Sequence, residues 1–463
     1  RRRRRLRRVR RRRVPGRGWR AGRRDVQLYV TAPPLRTMLL GVACGLHVAS
    51  ARGSCAAGLR SVQRWLGRDF HAQPLLAPTQ RVPASRSGWS PCRRCLRAVT
   101  SGTAAASQGS EALPEAADVA AHLQLNVLGP WRRRSGELRV WGDAGPEGGV
   151  SAAELQLLQR LLEQMGDDQP QTLAEWGVRV LSTADPLGKA ALTHYAVSRF
   201  LNTAPVYYQH LHESAAPPVP LGTALAPARP ARPQKPELVP IKQVPTHSQS
   251  GLPLNCYLLH TLTHIELNAV DLAWDTVVRF SNIAGDVEAF GERGVVPMQL
   301  FVDFLRVADD ESRHLGWCLQ RLDELGVQYG SIPAHDMLWQ GAYDSRDSLA
   351  ARLAVVPCVQ EARGLDAGPR LTTRLNSNND HRTADIVDRI SEEELPHVAV
   401  GVFWFREACA ALEVPAGEVF QALVSEYCPL LKGNGPFNHK ARADAGMQRE
   451  WYDWSLSGGA DSE

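Results

Sequence analysis

FLRVADDESRHL, residues 304–315, sets an acidic side chain inside an apolar stripe. At helical spacing the stripe reads Phe304, Ala308, Glu311, Leu315, then Cys318 and Leu322, so Glu311 interrupts a face otherwise built for burial. His314 follows three residues later and projects to the same side of the helix. EEELPHVAV, residues 392–400, repeats the arrangement: Ile386 and Ile390 lead to Glu394 and His397, then to Gly401 and Phe405. Two more segments carry a single glutamate in the same setting. Glu266 sits among Leu259, Leu262, Ala269, Val270, Ala273 and Val277, and Glu361 follows Leu353 and Pro357.

These glutamates fall one to a helix. The periodicity predicts four long helices over about 254–281, 298–326, 346–364 and 383–412, with a further helix over 415–428. Strand-like alternation is nearly absent, and Gly and Pro gather between the segments at 291–297, 330–333 and 364–369. The expected fold is all-α, a four-helix bundle of the ferritin-like kind over 254–455.

Two Glu-x-x-His pairs carry little weight alone. The order Glu, Glu-x-x-His, Glu, Glu-x-x-His, each set on its own helix, carries more. Four ionised carboxylates buried together without cations repel and lose their hydration. Two divalent ions cancel that charge, and two neutral imidazoles complete the coordination. The candidate ligands are therefore Glu266, Glu311, His314, Glu361, Glu394 and His397. Mixed carboxylate and imidazole donors suit two iron ions, with manganese as the alternative, and do not suit a thiolate-rich structural zinc site. Pro396 lies between Glu394 and His397, removes a backbone donor, and is expected to kink or bulge the helix where His397 must be aimed. In a metal-free alternative the same acids pair with arginines, of which Arg313, Arg363 and Arg389 are near in sequence.

Outer partners for the imidazoles are sought among Asp271, Asp310 and Asp388. His264 points away from Glu266 and reads as a hydrogen-bonding histidine; His335 reads as a loop hydrogen-bonder, and Phe403, Trp404 and Phe405 as core.

Outside the bundle the chain is uneven. The whole chain has 463 residues and a net charge of +6, but residues 1–110 carry +23 and residues 111–463 carry −17. The acidic remainder argues against tight binding to a nucleic-acid backbone, and no apolar run is long enough to span a membrane. Residues 1–110 read as a disordered basic leader rich in Arg, Ser and Ala. Residues 1–37 precede Met38 and are expected to lie upstream of the natural start. The stretch after Met38 reads as an organelle transit peptide, plastid ahead of mitochondrion; without a working leader the chain would stay in the cytoplasm. Cys92 and Cys95 form a CxxC with no second pair, and Cys256, Cys318, Cys358, Cys409 and Cys428 are expected as packed thiols. Residues 111–215 read as an additional, mostly helical region, with helix starts at Ser151–Glu154 and Asp185–Pro186 and a turn-rich Trp131–Trp141 stretch. Residues 216–253 read as a stiff linker, since nine of the 31 prolines fall within 217–245.

The chain resembles an uncharacterised conserved family of the ferritin-like superfamily. The blocks that carry the resemblance are LAEWGVRVLSTADPLGKAAL (173–192), ARPARPQKPELVP (228–240), LLHTLTHIELNAVDLAWD (258–275), FLRVADDESRHL (304–315), YGSIPAHDMLW (329–339), LAARLAVVPCVQEARGLD (349–366), EEELPHVAVGVFWFR (392–406) and GPFNHKARADAG (435–446). The resemblance implies a ferritin-like fold with a di-iron-type site on the six residues named above, and brings no substrate. The expected activity is that of an O2-dependent oxidoreductase or hydroxylase acting on a small molecule or a modified base, fed by an external electron-donor protein. The alternatives are a ferroxidase or metal-handling protein and a metal-free helical interaction module.

Overall fold

The computed structural model describes residues 116–134, 139–201, 219–283, 296–431 and 435–456. The leader expected over 1–110, with its transit-peptide reading and the Cys92/Cys95 pair, lies outside these residues.

The first described helix, α1 (Ala116–His122), widens into a π-helical stretch over Leu123–Leu128 and ends as α2 (Gly129–Arg133). A hairpin follows, β1 (Val140–Gly142) antiparallel to β2 (Gly145–Glu147), with Trp141 opposite Pro146. Gly145 turns it at a φ of 118°, a backbone conformation that side chains disfavour. Then come α3 (Ala152–Met165), α4 (Leu173–Leu181) and α5 (Pro186–Leu201). Each starts on a side-chain oxygen that satisfies an orphan N–H: Ser151 Oγ accepts from Glu154 N at 3.1 Å, Thr172 forms a reciprocal box with Glu175, and Asp185 accepts from Gly188 N at 2.6 Å.

The bundle is built from α6 (Leu254–Phe280), α7 (Met298–Glu324), a composite third helix and α11 (His381–Ala411); α8 (Met337–Asp344) lies in the crossing between the second and third. The third helix is α9 (Leu349–Val355), a π-helical stretch over Val356–Glu361, and α10 (Ala362–Ser377). Helix α6 packs on α7, the third helix packs on α11, and α7 meets α11 across the middle. Only 378–380 separate α10 from α11, so those two run antiparallel. Helix α5 covers α7, α4 covers α6, and α12 (Ala416–Tyr427) covers α9 and α11. One continuous core runs through Leu267, Val270, Phe301, Phe304, Val355, Val398 and Phe405.

Three expectations are corrected. The third helix does not end at 364: Gly364–Pro369 lies inside α10, which continues to Ser377. Gly368 serves there as a contact point, since a Cβ would fall 2.1 Å from Ser391 Oγ on α11. No bulge occurs at Pro396, which is buried within an unbroken α-helix; the π-helical stretch lies on the third helix instead and ends at Glu361. The proline-rich segment is extended but packed. Leu173 N and Ala174 N donate to Pro220 O and Leu221 O at 2.8 and 2.9 Å, Ala231 N donates to Leu181 O at 2.7 Å, and Arg232 reaches Asn268 at 2.6 Å and the buried Asp271. The backbone groups that proline leaves free are thus used against α4 and α6. Among the described residues no helix is long and apolar enough to cross a membrane, and Cys256, Cys318, Cys358, Cys409 and Cys428 are buried and unpaired by disulfides.

Candidate metal centre

The four bundle helices bring the six acids and imidazoles named from the sequence to one place in the core. Glu266, Glu311, His314 and Glu394 each hold a ligand-type atom within 4.8 Å of the others, an arrangement able to hold a metal ion. Glu311 is central. Its Oε2 lies 3.4 Å from His314 Nδ1 and its Oε1 lies 2.9 Å from His397 Nδ1. His314 Nδ1 is 3.5 Å from Glu266 Oε2, and His397 Nδ1 is 3.7 Å from Glu394 Oε2. The two imidazole centroids are 5.8 Å apart. Glu361 lies close enough to Glu311, Glu394 and His397 to feel their charge.

These atoms lack hydrogen-bond partners. Glu266 Oε2, both oxygens of Glu311, His314 Nδ1, Glu361 Oε2, Glu394 Oε2 and His397 Nδ1 are all buried without one, the close approaches between them being off the hydrogen-bond line. Buried polar atoms are seldom left so, because each forfeits its hydration for nothing.

The opposite edges of the imidazoles are fully engaged. His314 Nε2 meets Glu393 Oε2 at 3.0 Å, and His397 Nε2 meets Asp310 Oδ2 at 3.2 Å. The partners are exchanged between helices: the acid preceding Glu311 on α7 serves the histidine of α11, and the acid preceding Glu394 on α11 serves the histidine of α7. In the neutral ring, with Nε2 donating outward, each Nδ1 would turn its lone pair toward the carboxylates. Asp310 and Glu393 are held in turn by Arg313, which bonds both, with 3.0 Å to Glu393, and by Arg134, which also bonds both, with 2.9 Å to Glu393. Arg389 adds a contact to Glu393 at 2.9 Å, and Trp131 Nε1 donates to Asp310 at 2.9 Å.

The charges divide accordingly. Burial raises Glu266 well above the ordinary carboxylate range and also raises Glu394, in both cases with Glu311 adding to it. Burial, with Glu311 and Glu394, pushes Glu361 up to about 8. Burial opposes charge on Glu311 as well, but His314 and His397 outweigh it and draw its carboxyl below the usual range. The imidazoles, despite burial, are held well above the usual histidine value by Glu266, Glu311 and Glu393 on one side and by Asp310, Glu311 and Glu394 on the other. At the outer edge burial is overcome by the arginines and imidazoles, leaving Asp310 well below its usual value and Glu393 at about 2. The outer acids are thus settled as anions by the protein itself. Among the inner acids Glu311 is held as an anion by the two imidazoles, whereas Glu266, Glu361 and Glu394 are not, and all four are charged together only with added cations.

Of the other candidates, Asp310 lies beside His397, whereas Asp271 pairs with Lys189 at 2.7 Å and Asp388 is exposed. Arg313 and Arg389 bind the outer carboxylates and Arg363 is exposed, so none of the three neutralises the inner four. His264 bonds Tyr329 OH at 2.7 Å and the carbonyl of His335 at 3.0 Å, away from the cluster. Phe403, Trp404 and Phe405 are core, with Trp404 Nε1 donating to Asp303 at 2.9 Å. Sequence reasoning missed Glu393, Trp131 and Arg134. Glu393 had a visible signal: both pairs read acid-Glu-x-x-His, as Asp310-Glu311-x-x-His314 and Glu393-Glu394-x-x-His397. Trp131 and Arg134 had none, being about 180 residues distant from Asp310 in the chain.

Comparison with known proteins follows the same span. The family model described as "Protein of unknown function (DUF455)" matches residues 182–453. An uncharacterized protein of Haemophilus influenzae is 35% identical over 224 residues, 48% of this chain and 75% of that protein. A 3-demethoxyubiquinol 3-hydroxylase of Albidiferax ferrireducens is 32% identical over 98 residues, 20% of this chain and 45% of that protein. No solved structure matches.

Proposed function

We propose that this chain, which belongs to the family of unknown function DUF455 by a match over 182–453, is a ferritin-like di-metal carboxylate protein that oxidises or hydroxylates a small molecule with O2. The observation that carries the reading is the set of seven unpartnered buried atoms on Glu266, Glu311, His314, Glu361, Glu394 and His397, all on the four bundle helices. Iron, with manganese second, fits a donor set of carboxylates and imidazoles without thiolates. Glu266 and His314 would hold one ion and Glu361 and His397 the other, with Glu311 and Glu394 as the carboxylates available to both.

When bound, a pair of redox-active ions supplies the reduction of O2 and the oxidation of substrate. The remaining work belongs to the protein. Asp310 and Glu393 fix the tautomer of both imidazoles, and the apolar core around the cluster limits the water that reaches it. Hydroxylation of a C–H bond consumes one O2, two electrons and two protons and releases one water. The electrons come from an external donor protein, consistent with the absence of a Gly-rich nucleotide fingerprint in the sequence. The local likeness to a hydroxylase favours this chemistry over metal storage.

The test is O2 uptake by the full chain loaded anaerobically with Fe(II) and supplied with a one-electron chemical reductant. Sustained uptake that is lost in His314→Ala is expected. Iron binding with no uptake beyond oxidation of the bound iron would replace the oxygenase reading with metal handling.

A further inference from the structure

The matched family span begins at 182, yet the outer edge of the cluster is closed by residues well before it. Trp131 and Arg134 are three residues apart, so one short segment delivers both to Asp310. Arg134 then continues to Glu393 Oε1 at 2.9 Å. Together with Arg313 it closes a ring of alternating charge, Asp310–Arg313–Glu393–Arg134, and each carboxylate of that ring holds one imidazole of the cluster. The two guanidiniums are not equivalent. Arg313 is 1% exposed, whereas Arg134 is 26% exposed and comes from outside the bundle.

We propose that Arg134 is a positioning residue of the metal centre, which through the two outer carboxylates orients both imidazoles and raises the reduction potential of the bound metals. This rests on the di-metal reading. An imidazole that donates its outer N–H to a carboxylate becomes a more electron-rich donor at its other nitrogen. A guanidinium on that carboxylate draws its charge away and leaves the proton on the ring. Removing Arg134 takes away one positive charge, gives both carboxylates a stronger hold on the imidazole protons, and favours the oxidised, more highly charged metal state. Arg132 supplies the control. It anchors the same segment through a paired contact to Asp303, with Nε at 2.8 Å and Nη2 at 2.5 Å, and no contact joins it to the carboxylates that hold the imidazoles.

The experiment uses the full chain loaded with iron, as wild type, Arg134→Gln, Arg134→Lys and Arg132→Gln. It reads iron per chain and the midpoint potential from an anaerobic titration followed by absorbance. In Arg134→Gln the oxidised-to-reduced ratio at a fixed ambient potential should rise about tenfold, the effect of one charge lost on the order of 10 Å away at an effective dielectric of about 20. For a one-electron couple that is a fall of about 59 mV. Arg134→Lys should lie between, and Arg132→Gln, whose guanidinium reaches Asp303 and neither carboxylate of the ring, should shift the ratio clearly less than Arg134→Gln. Iron loss confined to Arg134→Gln also supports the positioning role. An unchanged potential in Arg134→Gln overturns the inference while leaving the metal site standing, as do equal changes in Arg134→Gln and Arg132→Gln, which reduce the effect to loss of the segment's docking. Wild type without iron removes both readings together.

Discussion

Replacing Glu361 by glutamine should stabilise the metal-free protein and weaken the metal-bound one. In the absence of metal, burial and the neighbouring Glu311 and Glu394 push Glu361 up to about 8, from the ordinary 4.5. The folded state therefore binds a proton that the unfolded chain has released, across the window from about pH 4.5 to 8. Stability consequently falls as pH rises through that window, by about 1.4 kcal/mol per unit, and levels off above it. Glutamine has the shape of the protonated acid and does not titrate. Its advantage over wild type should be about 1 kcal/mol at pH 5, about 3 kcal/mol at pH 7 and about 5 kcal/mol at pH 9. The assay is urea unfolding of the EDTA-treated full chain followed by far-UV circular dichroism, wild type and Glu361→Gln, at the three pH values. Addition of Mn(II) or anaerobic Fe(II) should reverse the order, because the ion supplies the positive charge that the carboxylate lacks. A metal-free Glu361→Gln protein that is equally or less stable than wild type, with no dependence of the difference on pH, would refute the reasoning.

Other outcomes follow from the same contacts. Asp310→Asn and Glu393→Gln should each weaken metal binding by about 10- to 100-fold in a competitive chelator titration, since each leaves one imidazole without its outer acceptor. Gly401→Ala should lower the melting temperature, with a cost of about 2–3 kcal/mol: its Cβ would fall 2.3 Å from the ring of Pro357, which cannot swing aside. Arg442→Ala should cost about 3–5 kcal/mol in chemical unfolding, because it strips the buried Asp366 of a paired guanidinium contact at 3.0 and 2.6 Å.

The parts of this molecule that a sequence reveals are those set by local periodicity. Helix α6 is expected over 254–281 and runs Leu254–Phe280; α7 is expected over 298–326 and runs Met298–Glu324. Both have long apolar stripes broken only at the inward glutamate, and a proline just before the start, at Pro253 and Pro297. The third helix misled because Gly364 and Pro369 look like breaks. In the bundle a Cβ at Gly364 would meet the Glu394 side chain at 3.7 Å and Gly368 admits Ser391, so these residues lie against α11 rather than at a chain reversal. Pro396 misled in the other sense: tertiary packing holds it within a regular helix. The inner cluster was legible because a glutamate inside an apolar stripe is expensive wherever it occurs. Its outer half was only half legible. Asp310 and Glu393 are doubled acids in the motif itself, but the exchange of partners between α7 and α11 exists only after the helices pack. The contribution of Trp131 and Arg134 is tertiary from the start, since no local pattern connects a Trp-Arg-Arg-Arg run with an aspartate near the middle of α7.

The most direct test of the central claim is the metal content of the full chain, purified after anaerobic supply of iron, for wild type and for Glu311→Ala/Glu394→Ala. About two iron or manganese ions per wild-type chain are expected, lost in a double variant whose circular dichroism shows the helices intact. A wild-type chain with no stoichiometric metal, alongside an equally folded double variant, would contradict it and leave the cluster as a metal-free polar network within a helical bundle.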